Sequence, residues 1–192
     1  MLSYGEIPFT DRRVNKEEWA KIKPETKFGQ LPRLCIDGIE LYQSRAICRY
    51  IASKLNLRGK NDKAAALTDM WVDCLDDIRS MITRFYYGPD SEERTKNMEN
   101  LKNVQVKSVL SSIEKVLEKD GTTFLTGDEV TWADVMLFAY FTYIGELLHT
   151  PDILSPFPRL SAIFSTIKKS PGIQKFLANR TPSPPDMRAL FD

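Results

Sequence analysis

The run from Phe28 to Ile47 constrains this chain more than any other stretch. It reads as a loop, a strand, a tight turn, a second strand and the opening of a helix. Pro32 cannot donate to a sheet ladder, so it belongs at the first position of a strand or in a turn, and a cis Leu31–Pro32 bond is expected there. Leu34 and Ile36 alternate with Arg33 and Cys35, the period of a half-buried strand, and Asp37-Gly38 is a strong signal for a two-residue hairpin turn. Leu41 closes the second strand. Ser44 is then read as the N-cap of a helix whose apolar residues Ile47, Tyr50, Ile51 and Leu55 recur three and four apart.

Two parts of this run carry chemistry as well as architecture. The backbone beside Pro32 lacks a ladder partner on one side, so the amide and carbonyl of Leu31 are available to an extended peptide lying alongside. The helix opening at Gln43-Ser44 presents free amides and the positive end of a helix dipole, which suits a carboxylate. Together they describe a seat for a small anionic peptide. Without a ligand the same residues make only a hairpin and a capped helix, and these features alone leave both readings open.

Composition narrows the classes. With 42% hydrophobic and 28% charged residues in 192, the chain can bury a core. Residues 1–60 hold 12 Lys and Arg against 7 Asp and Glu, while the whole chain has a net charge of +1. That mild basic bias suits an anionic small molecule and is too diffuse for a nucleic-acid binder. Cys35, Cys48 and Cys74 have neither disulfide-framework nor zinc spacing, which fits a reducing compartment. His149, the single histidine, falls at a predicted helix end, where a solvated or dipole-paired role outweighs a catalytic one. No apolar run reaches membrane-spanning length and Met1 to Glu6 has no signal-peptide pattern, so a cytoplasmic protein with neither membrane nor nucleic-acid partners is expected.

Met1 to Tyr4 reads as the last turn of a helix stopped by Gly5, followed by a strand near Asp11–Val14. A short helix capped by Asn15 carries Glu17 and Glu18 in its first turn and ends at Pro24. A polar stretch from Leu55 to Asp62 marks a domain boundary, which divides the chain into 1–61 and 62–192. Beyond it the period is helical throughout. Leu67, Trp71, Leu75 and Ile78 form a core stripe, and Asp73, Asp76 and Asp77 gather on adjoining positions where they repel one another unless a cation sits nearby. A helix continues from Met81 to Tyr87. A long helix over Ser91–Lys119 is expected to bury Leu101, Val104, Val109, Leu110, Ile113 and Leu117. Thr131 and Asp134 form a capping box that opens an apolar helix, Val135 to Leu148, predicted to be the buried centre of the second domain, and removing Asp134 should cost about 1 kcal/mol or more. Helices follow from Pro158 and around Ile173, with Thr181–Pro185 as an extended tail.

The Phe28–Ile47 run resembles the glutathione-binding half of cytosolic glutathione transferases, in which a Gly-Gln/Lys-hydrophobic-Pro segment precedes a hairpin ending in Gln-Ser and a helix. Glu17 to Pro24 and Val72 to Asp77 look most like the sigma class, which includes prostaglandin D synthases, invertebrate detoxification enzymes and lens S-crystallins. The resemblance implies an α/β thioredoxin-like N-terminal domain followed by an all-α C-terminal domain. It implies glutathione as co-substrate, bound by Trp19, Lys23, Gln30, Leu31, Pro32, Gln43 and Ser44, with Asp77 supplied by the partner in a homodimer. In some members the acids corresponding to Asp73, Asp76 and Asp77 bind a divalent cation. The electrophile pocket is expected around Met81, Arg84, Phe85, Met136 and Tyr140.

The implied reaction is attack of the glutathione thiolate on a small hydrophobic electrophile, with prostaglandin isomerase or peroxidase activity as variants. The same resemblance places a first strand and helix, about twenty residues by ordinary element lengths, ahead of Met1, and with them the family's catalytic tyrosine. Tyr4 and Ser3 align with the end of that helix and do not replace it, so the first domain is expected to be incomplete and turnover weak. A structural S-crystallin-like protein or a non-catalytic glutathione-binding module are the other readings. Retention on glutathione and turnover of a chloronitrobenzene separate them.

Overall fold

A computed structural model describes residues 1–181, so the expected tail at Thr181–Pro185 lies almost wholly outside the described residues. The elements in order are α1 (Lys16–Ile22), β1 (Arg33–Ile36), β2 (Ile39–Tyr42), α2 (Ser44–Lys54), α3 (Asp62–Tyr86), α4 (Glu92–Asn100), α5 (Val106–Asp120), α6 (Trp132–Leu147), α7 (Pro158–Lys168) and α8 (Pro171–Asn179).

The hairpin forms as expected. β1 and β2 pair antiparallel, with Arg33 opposite Tyr42 and Ile36 opposite Ile39. Asp37 and Gly38 both take positive φ, 51° and 74°, which is the turn whose twist matches the strands it joins. The Leu31–Pro32 bond is cis, and β1 begins on the next residue. Tyr50 and Lys54 of α2 both reach the Asp37 carboxylate, each at 2.6 Å, and so tie the helix to the turn.

Three local expectations are corrected. The strand near Asp11–Val14 does not form, because a strand needs a neighbour to complete its hydrogen bonds and among the described residues only β1 and β2 make a ladder. Ser44 is the first helical residue and Gln43 the cap position, without a capping side chain. The long helix predicted over 91–119 is interrupted by one π-helical turn, Leu101–Gln105. The wider turn shifts the phase of the residues around it, so Leu101 and Val106 are buried while Val104, predicted to face the core, stands 57% exposed.

The remaining helices follow their sequence signals, except that Leu67, expected in the core stripe of α3 with Trp71, Leu75 and Ile78, stands 49% exposed at its N-terminal end. Asn15 accepts from the Glu18 amide at 2.9 Å while Glu18 returns to the Asn15 amide at 3.0 Å, a complete capping box. Asn61 caps α3 through the Ala64 amide at 3.0 Å, and α3 runs unbroken to Tyr86. Buried residues of α6, among them Trp132, Leu137, Phe141 and Ile144, lie at the centre of the core with Leu75, Ile78 and Ile82 of α3 and Leu110 of α5 around them. His149 sits exposed just beyond α6 with φ 50°, and Lys102 donates to the Leu148 carbonyl at 3.1 Å, so the cation at that helix end is a lysine.

The two halves are joined at α6. The Trp132 amide donates to the Leu57 carbonyl at 2.9 Å, and the Arg49 guanidinium of α2 lies 5.3 Å from the centre of the Trp132 ring. Residues 1–7 form hydrogen-bonded turns rather than a helix, with Gly5 donating to Met1 and Ile7 to Leu2 at 3.0 Å each. They pack on α8 through Gly172.

Candidate functional site

The loop before β1 is held from both ends. Phe28 stands edge-on to Tyr42 with 5.7 Å between ring centres, so the loop is pinned to the end of β2. Gly29 turns with φ 61°, and the Lys23 stem passes 3.6 Å from where a Cβ there would stand. Gln30 then accepts from the Gln43 side-chain amide at 3.3 Å, which brings the two glutamines of the predicted seat together across thirteen residues of chain.

Gln43 itself is the unusual residue. Its φ of 68° and ψ of 113° lie where side-chain-bearing residues rarely sit, a conformation that costs on the order of 1–3 kcal/mol and persists only where the surroundings impose it. The consequence is local: the chain turns sharply into α2, and the first amides of that eleven-residue helix have no capping side chain. Trp19 on α1 is half-buried, and Lys23, Leu31, Pro32 and Ser44 are exposed around this mouth. The backbone groups of Leu31 lie outside the β1–β2 ladder.

The acidic face of α3 is not a bare cluster. Arg45, one residue past Ser44, contacts Asp73 at 2.5 Å and Asp76 at 3.6 Å, and Arg79 donates to Asp76 at 2.7 Å. The Tyr140 hydroxyl adds a third bond to Asp76 at 3.0 Å. These arginines supply the positive charge the carboxylates require, and among the described residues no three acidic, histidine or cysteine side chains are grouped to hold a metal ion. Asp73, Asp76 and Asp77, whose counterparts bind a divalent cation in some members of the resembled class, form no such group among the described residues. Asp77 stands apart, exposed and without an ion pair among the described residues.

Burial raises the Asp76 carboxyl, but the Arg79 bond and charge, the Tyr140 hydroxyl and the Arg45 charge outweigh it and hold the group below its ordinary value of 3.8. A carboxyl lowered in the native state stabilises the fold above its unfolded pKa, and that contribution is lost as pH falls through the native value. Asp76→Asn is thus expected to lower the melting temperature at pH 7, with the gap to wild type closing below pH 3.8. A gap that stays constant with pH would show that the ionised form contributes nothing.

Of the side chains expected to line an electrophile pocket, Met81 and Phe85 are half-buried and Arg84 is exposed. Met136 and Tyr140 face inward instead, 5% and 8% exposed, because α6 is apolar on nearly every side and packs as the domain's centre. The sequence reading also missed Arg45 and Arg79. Arg79 follows Asp76 by three positions on one helix, a legible pairing signal, whereas Arg45 meets its partners from another element. A cleft of about 700 Å³ between residues 3–13 and α8, bordered by Phe9, Lys175, Phe176 and Arg180, had no sequence signal, and none of the seat residues line it.

A small N-terminal sheet with a cis-proline loop, followed by an all-helical domain, defines the thioredoxin-like architecture of glutathione transferases. Comparison with known proteins agrees. Residues 2–53 match the glutathione S-transferase N-terminal domain and residues 76–180 the glutathione S-transferase C-terminal domain. A glutathione S-transferase of Anopheles gambiae is 33% identical over 94% of this chain and 88% of its own length, and human glutathione S-transferase A1 is 36% identical over 97% and 84%. Among solved structures, a prostaglandin synthase D of Nilaparvata lugens superimposes with a TM-score of 0.85 at 28% identity, over 94% of this chain and 89% of that one. The chain belongs to the glutathione S-transferase family, whose N-terminal domain binds glutathione as co-substrate.

Proposed function

We propose that this chain is a sigma-like glutathione transferase in which residues 1–61 hold the tripeptide and residues 62–192 meet the electrophile. The observation that carries the reading is the strained Gln43, bonded to Gln30 at the uncapped opening of α2. Backbone strain collects where a ligand is to be met, and this position coincides with free amides suited to a carboxylate. Trp19 and Lys23 then face the glycine end of glutathione, Leu31 pairs with its backbone beside Pro32, and Gln43 and Ser44 take the γ-glutamyl end. The thiolate would attack a small hydrophobic electrophile in the cytoplasm, in detoxification or a prostaglandin isomerisation. Asp77, exposed on α3, is available to a glutathione held by a second copy. Exposed Phe28, Leu67 and Met70 support such a homodimer, since each leaves apolar surface uncovered.

Calorimetric titration with glutathione tests the seat directly. Binding to the wild type is expected, and Gln43→Ala should weaken it about fivefold or more through loss of side-chain hydrogen bonds. Absence of heat with wild-type protein would remove the glutathione reading. Conjugation of a chloronitrobenzene, followed by absorbance, separates an enzyme from a binding module or an S-crystallin-like structural protein.

A further inference from the structure

The ground between the glutathione mouth and α6 is not an apolar wall. From Arg45 at the opening of α2, contact passes to Asp76, and from Asp76 to both Arg79 and Tyr140. The Arg79 guanidinium lies 5.8 Å from the centre of the Tyr140 ring. Just past the end of α3, the hydroxyl of Tyr87 meets that of Tyr143 on α6 at 2.8 Å. Asp76 stands eleven positions before Tyr87, roughly 16 Å at helical rise, so the two polar pairs follow one strip between α3 and α6.

Its polarity is one-sided. Asp76 is 13% exposed and its oxygens are occupied by Arg79, Tyr140 and Arg45, whereas Arg79 is 32% exposed. The cation therefore faces outward and its counter-ion inward. Arg79 uses Nε on Asp76 and Nη2 on Ser80, which leaves Nη1 without a carboxylate partner. The free edge of the Arg79 guanidinium thus offers donors and positive charge to whatever lies against it.

We propose that Arg79, fixed by Asp76 and Tyr140, is a specificity-determining side chain that favours electrophiles carrying a carboxylate. The inference rests on the glutathione reading and adds to it the chemical class of the second substrate. A guanidinium anchored through one edge is pre-organised to receive a carboxylate at the other, and Arg79 meets that condition while a flexible lysine would not.

The test compares two glutathione conjugates, S-benzylglutathione and S-(4-carboxybenzyl)glutathione, by calorimetry on the full chain, so that turnover is not required. The carboxylated conjugate is expected to bind about tenfold more tightly, as one charge-assisted contact allows, with the preference shrinking as salt rises. Arg79→Met should abolish the preference, and Arg79→Lys should keep part of it, both with glutathione itself still bound. Equal affinity of the wild type for the two conjugates, or a preference that survives in Arg79→Met, overturns the assignment while leaving the glutathione seat standing. If neither conjugate nor glutathione binds, the seat itself is refuted and this inference falls with it.

Discussion

Asp134→Ala is expected to destabilise the protein by ~3 kcal/mol, several times the loss of an ordinary helix cap. The reason is that the carboxylate does more than cap α6. One oxygen accepts from the Thr131 amide at 2.8 Å and the Thr131 hydroxyl at 3.1 Å, while the other accepts from the Leu125 amide at 2.9 Å. Asp134 is fully buried, so water cannot replace it for either amide. Burial acts against the ionised carboxyl and raises its pKa, and the donors from Leu125 and Thr131 pull it back. Asp134→Asn keeps one acceptor but turns a donor toward the other amide, and should lose roughly half as much. Denaturant midpoints of the two variants check this, and a midpoint for Asp134→Ala within error of wild type would refute it.

Gly172→Ala is expected to cost a comparable amount, for a steric reason. A Cβ at this position would stand 1.9 Å from the Ser3 carbonyl oxygen and 3.0 Å from the Glu6 side chain. Neither that backbone nor α8 can give way without parting the N-terminal turns from the helix, so a loss of ~3 kcal/mol follows. Gly121→Ala is the informative comparison. Its φ is 68° and nothing lies within 4 Å of a Cβ there, so only the left-handed backbone is penalised, at about 1–2 kcal/mol. Thermal melts of the two variants should differ, and equal melting temperatures would mean that α8 does not rest on residues 3–6 as described.

The site was legible to the extent that it is local. Pro32, Asp37-Gly38 and the Gln43-Ser44 opening were all placed by residue type and spacing, since turn chemistry and strand period act over two to four residues. Spacing along α3 brings three carboxylates near one another but does not say what faces them. Arg45 faces them from α2, twenty-eight residues back from Asp73. Met136 and Tyr140, which the resemblance placed around an electrophile pocket, are 5% and 8% exposed, and apolar or aromatic character serves a core as well as a pocket.

Amino-acid pattern alone determined the hairpin, the capping residues Asn15 and Thr131, the apolar centre at α6 and the resemblance that names the family, because each is written in neighbours a few positions apart. Tertiary structure decided the rest. The N-terminus of α7 has no local capping side chain, and Glu114 of α5 receives the Arg159 and Leu160 amides at 2.7 and 3.1 Å. The π-helical turn rotates Val104 outward, Gln43 takes a backbone conformation its residue type disfavours, and Arg79 turns its cation outward over Asp76. Each depends on a group brought in by the path of the chain as a whole, and a burial or charge pairing made at that distance leaves no periodic trace in the residues that take part.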